Sequence, residues 1–151
     1  MIFIGIDPGV GGGMAWLRPG GMAPDVGKVG LKDKTEADIA SWLRVLPDDY
    51  GEGVFAVIEK VSSSPQMGVV SAFTFGRSYG FLRGLLTAEG FPYVEVRPQA
   101  WQKAMGCLTK GDKNVSKAKA QQLYPGEKIT HATADALLLA TYCRRHHKDL
   151  F

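Results

Sequence analysis

Residues 2–18 read "IFIGIDPGVGGGMAWLR", and the reading of this stretch decides the fold class. "IFIGID" is a run of strand formers that ends in an acid, Asp7. "PGVGGG" is rich in turn residues, "GMAWLR" is a second run of strand formers, and "RPGG" closes it. Two strands around a short loop predict a β-hairpin. Further along, "VFAVIE" (54–59) is a continuous apolar run that ends in a second acid, Glu59. Such a run fits a buried central strand.

The rest of the chain fills in around these strands. Residues 22–32 are ambiguous and have room for a third strand around "DVGKVGL". "TEADIASWLRVL" (35–46) places Ile39, Trp42, Leu43 and Leu46 at helical spacing behind Thr35 as N-cap, and "PDDYGEG" ends that helix. "KVSSSPQMG" (60–68) reads as a polar loop and residues 69–88 as a long, mostly apolar helix. Its glycines, Gly76, Gly80 and Gly84, recur every four residues on one face. Each costs about 1 kcal/mol relative to Ala in a helix interior, so the stripe asks for a close neighbour, either the sheet or a partner's helix. "FPYVEV" is another strand, "RPQAWQKAM" starts a helix at its proline, "KGDKNVSKAKAQQLYP" is a lysine-rich helix, and "ITHATADALLLATYCRRHH" is the last helix. Hairpins followed by β–α–β crossovers predict an α/β protein, a mixed β-sheet flanked by helices on both faces.

Bulk properties bound the function. The chain of 151 residues fits one domain, residues 1–151, and its 45% hydrophobic and 22% charged residues are ordinary for a globular protein. Apolar runs such as "ADALLLA" fall far short of the roughly 18 residues of a membrane span. "MIFIGID" lacks a basic n-region and a cleavage site, which predicts no signal peptide. Cys107 and Cys143 form no CxxC pair, so free thiols in a cytosolic protein are expected. Net charge is +3, unevenly spread: residues 1–96 hold 8 Lys/Arg against 11 Asp/Glu, and residues 97–151 hold 10 against 4. A basic C-terminal third fits either a polyanion partner or a solvated lysine-rich helix.

In an open α/β sheet the C-terminal ends of parallel strands form the ligand-binding edge. If the first and fourth strands are parallel neighbours, Asp7 and Glu59 stand side by side there. Asp135, in the alanine- and leucine-rich last helix, can cover the same edge. A carboxylate in so apolar a stretch is costly unless its charge is compensated, and convergent carboxylates repel unless protonated or bound to cations. Hard divalent cations take such oxygen ligands, and paired ions activate water for phosphodiester hydrolysis. Blander readings exist for each: "DPG" is a common turn, and Glu59 can pair with Lys60. "PGVGGG" lacks the Lys-Ser/Thr of a P-loop and dinucleotide spacing, so nucleotide binding there is weakly supported.

"FIGIDPGVGGGMAW", "VIEKV" followed by "FTFGRSYGFLRGLL", "YVEVRPQAWQKAM" and "ADALLLATY" together resemble the RuvC-type Holliday-junction resolvases, most of all the compact phage versions. The match runs through nearly the whole chain in order; each motif alone is loose, and the four in sequence are specific. The resemblance implies an RNase H-like fold, a homodimer without a membrane partner, and cutting of four-way or other branched DNA. It implies Mg²⁺, with Mn²⁺ as substitute and two ions per site, in a bacterial or phage-infected cytoplasm. It assigns the metal ligands to Asp7, Glu59 and Asp135, one ion between Asp7 and Glu59 and the other between Asp7 and Asp135. A fourth acid is expected three residues before Asp135, and that position is Ala132.

Three explanations of Ala132 stay open. It can be an introduced change that removes a ligand. The site can use three carboxylates assisted by His131, which is i, i+4 to Asp135 and a plausible ligand or proton carrier. Or the chain can bind junctions without cutting them; a nuclease of the same fold acting on other branched DNA or RNA/DNA hybrids is a further alternative. A solvent-facing His131 is the plain reading of that residue. Candidate DNA contacts are Ser62, Ser63, Ser64, Gln66 and Met67 in the loop after Glu59, then Arg77, and the lysines Lys110, Lys113, Lys117 and Lys119. In the family the loop after Glu59 often carries an aromatic wedge, and here it carries serines and Gln66. Arg97 and Lys103 flank Trp101, which reads as core packing. The "RRHHK" end can touch DNA or only solubilise its helix, and its His146 and His147 have no metal-ligand spacing.

Overall fold

The computed structural model describes residues 1–47 and 53–151, so most of "PDDYGEG" lies outside the described residues. Five strands form one mixed sheet, ordered β3-β2-β1-β4-β5. β1 (Ile2–Asp7) and β2 (Gly13–Arg18) pair antiparallel as the hairpin predicts, and β3 (Asp25–Gly30) extends it antiparallel. β4 (Val54–Glu59) lies parallel to β1, and β5 (Tyr93–Val96) parallel to β4. The ambiguous stretch is therefore a strand, and the two acid-ending runs are central parallel neighbours.

The two faces of the sheet bury different side chains. Ile2, Ile4 and Ile6 of β1, with Ala56 and Ile58 of β4, face one way. There they meet α1 (Glu36–Val45) through Ile39 and Leu43, and α2 (Val69–Ala88) through Leu82, Leu85 and Leu86. Thr35 caps α1: its hydroxyl accepts from the Asp38 N–H at 3.1 Å, and the Asp38 carboxylate accepts from the Thr35 N–H at 2.8 Å. The alternate residues of the strands, Phe3 and Val57 among them, face the other core, formed with α3 (Pro98–Ala104), α4 (Lys113–Leu123) and α5 (His131–Leu150).

Glycine sets how closely α5 lies on the sheet. A Cβ on Gly5 would stand 2.2 Å from the Ala136 carbonyl oxygen and the Ala140 nitrogen. A Cβ on Gly13 would stand 2.1 Å from the Ala132 carbonyl oxygen. The first two strands thus accept the backbone of α5 directly, with Ala136 and Ala140 as the small residues at the contact. No described helix is long and apolar enough to cross a membrane.

The glycine stripe of α2 corrects one expectation. A Cβ added at Gly76, Gly80 or Gly84 would meet nothing within 4 Å, so the sheet is not the close neighbour. The stripe lies on the helix face turned away from the Leu82, Leu85 and Leu86 contacts.

Candidate active site

Sheet register brings the acids together. Ile6 pairs with Ile58 across the parallel β1–β4 ladder, so Asp7 and Glu59 follow one step later at the same strand ends. Alternation puts both on the α5 side, below Gly5 and Val57. Asp7 is also paired with Gly13 on β2, and Gly13 with Gly30 on β3. The N-terminal turn of α5 covers this row. Thr130 caps it, accepting from the Thr133 N–H at 3.3 Å, and Asp135 follows in the second turn, half-buried.

The electrostatics of the three acids are those of a shared, only partly compensated site. Burial raises Asp7 well above the ordinary carboxylate value, the charges of Glu59 and Asp135 raise it further, and Lys113 pulls it back. Burial also raises Glu59, a hydrogen bond from Trp101 opposes this, and Asp135 adds to the rise. For Asp135, burial again comes first, opposed by Ser116, Lys113 and His131. Among the described residues, none of the three acids belongs to an ion pair. Lys60 does not take up Glu59; the Trp101 indole N–H does, donating to Oε2 at 2.7 Å.

Among the described residues, no three His, Cys, Asp or Glu side chains converge tightly enough to enclose one ion. The three carboxylates nevertheless feel one another's charge, so they form an open group of hard oxygen donors. That suits Mg²⁺, which keeps several waters and is held by one or two carboxylates together with substrate phosphate oxygens. The donor chemistry fits this group.

The other expected residues divide. A cleft of about 590 Å³ opens beside Glu59, lined by Glu59, Lys60, Ser62, Phe75, Arg97 and Gln99 among others; Asp7 and Asp135 do not line it. Ser63, Ser64 and Gln66 are exposed further along the same loop. Met67 lies in a separate apolar groove with Val10, Val70 and Phe75. Arg77 is on the α1 side of that region, in a cleft with Gly9, Asp33 and Glu36, and not in the Glu59 cleft. Lys113, the first residue of α4, reaches the acids electrostatically, while Lys110 is exposed in the loop before it and Lys117 is half-buried one turn on. His131 is exposed at the first position of α5.

Ala132 is half-buried, and its Cβ lies 3.4 Å from where a Cβ on Gly30 would be. Trp101 is fully buried, as core packing predicts, but its polar edge belongs to the site, which the sequence reading missed. The role of Ser116 beside Asp135 was missed as well. Only the order "PQAW", which sets Trp101 one turn into a helix that starts at the sheet end, hinted at the first.

Solved structures of other proteins share this arrangement of strands and helices. Thermus thermophilus RuvC superposes with a TM-score of 0.63 at 17% identity, covering 99% of this chain and 96% of that one. The fold is that of RuvC. The same RuvC in complex with a Holliday junction substrate gives a TM-score of 0.65 at 15% identity, again over 99% and 96% of the two chains. The Fowlpox virus resolvase, solved with substrate Holliday junction DNA, gives 0.50 at 12% identity over 91% of this chain and 94% of that one. By sequence, the chain is 32% identical over 95 residues to the chloroplastic Holliday junction resolvase MOC1 of Chlamydomonas reinhardtii. That alignment takes in 59% of this chain but only 11% of the relative, so the chain spans about a tenth of that protein's length. No protein-family model matches the chain. The RuvC fold and the MOC1 similarity agree with the family likeness carried by the motifs.

Proposed function

We propose that this chain is a structure-specific endonuclease that cuts four-way or other branched DNA by metal-dependent phosphodiester hydrolysis. The observation that carries the reading is the meeting of Asp7, Glu59 and Asp135 at one end of a RuvC-fold sheet, all three raised by burial and none ion-paired among the described residues. Catalytic sites are where such perturbed groups gather. Similarity to a Holliday junction resolvase and to proteins solved with junction DNA supports the choice of substrate.

Asp7, Glu59 and Asp135 would hold Mg²⁺, with Mn²⁺ as a substitute and two ions per site. A divalent cation bound there supplies positive charge where phosphodiester oxygens become more negative. The chain's own residues do the rest. Lys60 and Arg97, flanking the Glu59 cleft, bind phosphate oxygens beside the scissile bond. Lys113 brings a further positive charge to the acid cluster. Ser62, Ser63, Ser64 and Gln66 face the branch point from the loop after β4, and Met67, in its separate groove, lies further from it. His131, exposed one turn before Asp135, delivers a proton to the departing 3′ oxygen. Resolution needs paired cuts, and the outward face of α2 is the surface for a second copy. That face carries Val69, 87% exposed, and Phe73, 72% exposed, beside the glycine stripe.

Cleavage of labelled four-way junctions in Mg²⁺ tests the reading. The wild-type chain should nick opposed strands, and Asp7→Asn should lose at least about 100-fold in rate. The rival reading, junction binding without turnover, is favoured by Ala132 and is addressed by Ala132→Asp. Cutting only by Ala132→Asp supports a nuclease scaffold silenced at one position. Failure of both proteins on four-way, three-way, flap and RNA/DNA hybrid substrates that they bind sinks the nuclease reading.

A further inference from the structure

We infer that Trp101 is a positioning residue for Glu59: its indole N–H fixes one carboxylate oxygen and leaves the other to the cleft in which phosphate and cation meet. The inference rests on the nuclease reading and deepens it. Trp101 is 0% exposed and packs with Met105 and the α5 leucines. Packing accounts for the indole body. It does not account for where the polar edge points, because packing alone supplies no acceptor for a buried N–H.

The indole N–H is a donor only. Buried, it needs an acceptor, and a main-chain carbonyl would serve. It is instead spent on Glu59 Oε2 at 2.7 Å, a side chain that also lines the 590 Å³ cleft. A glutamate has three side-chain torsions, and at a strand end nothing in the backbone fixes the last of them. A short hydrogen bond from a rigid, fully packed ring does, and it is charge-assisted. The ring is itself tied to the sheet. The Lys60 N–H, directly after Glu59, donates to the Val96 carbonyl at 2.8 Å, and the chain runs from Val96 through Arg97 into α3 within five residues of Trp101. Strand end, helix start and indole are thus linked over a short span of chain. Outer partners of metal-binding side chains typically matter 10–100-fold in affinity or activity.

The test uses the full chain and Mn²⁺ as the probe, followed by calorimetry or the spin signal of the free ion. Trp101→Phe keeps an aromatic ring, smaller than the indole, and removes the N–H. Its Mn²⁺ dissociation constant should rise roughly 10–100-fold, and the Mg²⁺ concentration for half-maximal cleavage should rise with it. Junction affinity in EDTA should stay unchanged. A folded Trp101→Phe with wild-type Mn²⁺ affinity, beside a Glu59→Gln that has lost it, overturns the inference and leaves the nuclease reading standing. A Glu59→Gln that keeps full Mn²⁺ affinity overturns the metal reading, and the inference falls with it. If Trp101→Phe does not fold, the wild-type chain decides by proton NMR. The Trp101 indole N–H resonance should move on Mg²⁺ addition and in Glu59→Gln; a resonance that ignores both overturns the inference.

Discussion

Burial leads the causes that raise Asp7, and the charges of Glu59 and Asp135 add to it. The metal-free fold therefore binds a proton at Asp7 more tightly than the unfolded chain does. With more protons bound in the native state, the stability slope with pH is negative. The stability that Asp7 contributes is fully present below the unfolded carboxylate pKa of about 3.9 and is lost as pH rises through the raised folded value. Asp7→Asn removes the charge at similar size. At pH 8 without metal it should raise Tm by roughly 2–12 °C, taking about 1–3 kcal/mol for a buried, poorly compensated polar group. At pH 3.5 the difference should nearly vanish. Mg²⁺ should raise the Tm of the wild type more than that of Asp7→Asn. Thermal melts across pH, with and without Mg²⁺, check all three statements; a metal-free Asp7→Asn that melts lower at pH 8 than the wild type contradicts the electrostatic account.

At the scale of elements, the strands and the acids at their ends were legible because apolar runs and alternation report the faces of a sheet directly. β1 and β4 each show a hydrophobic run that stops at an acid, and register then places Asp7 beside Glu59. The helix α1 was legible through its spacing and its Thr35 cap. Contacts between elements distant in the chain were not. Nothing local to Gly5 says that the α5 backbone presses on it, and nothing local to Trp101 or Ser116 says which carboxylate its donor meets. Gly5→Ala should therefore be costly, about 1–3 kcal/mol or more from overpacking against Ala136 and Ala140, read as a lowered Tm with loss of cleavage. The α2 glycines behave in the opposite way. With open space at each, Gly80→Ala should stabilise an isolated chain by about 1 kcal/mol. If a second copy packs on that face, Gly80→Leu should weaken self-association at least about 10-fold by sedimentation while helix content stays the same. Unchanged association in Gly80→Leu removes α2 from the dimer contact.

Across the whole molecule, positive charge lies at both ends of α5, and only one end adjoins the acids. Lys113 opens α4 beside Asp7 and Asp135, and Lys117 follows one turn later. Arg144 and Arg145 stand nine and ten residues beyond Asp135, about 14 Å along the helix at 1.5 Å per residue. That far end folds over the opposite edge of the sheet, where the His147 ring lies 5.0 Å from Phe3 and 6.0 Å from Phe55, near the starts of β1 and β4. The "RRHHK" segment is thus anchored away from the acid edge, and among the described residues no Asp or Glu lines the cleft at Arg144 and Arg145. DNA whose scissile phosphate sits at Asp7 meets the lysines of α4 first. Each phosphate contact contributes about one unit to the salt dependence of binding. Replacing Lys113 and Lys117 together by Ala should flatten the slope of log affinity against log salt by roughly two units for four-way junctions. Arg144→Ala with Arg145→Ala should leave it unchanged. A slope that responds to the arginine pair and ignores the lysine pair would place the DNA across the other end of the sheet, and would separate the binding surface from the carboxylates that the nuclease reading depends on.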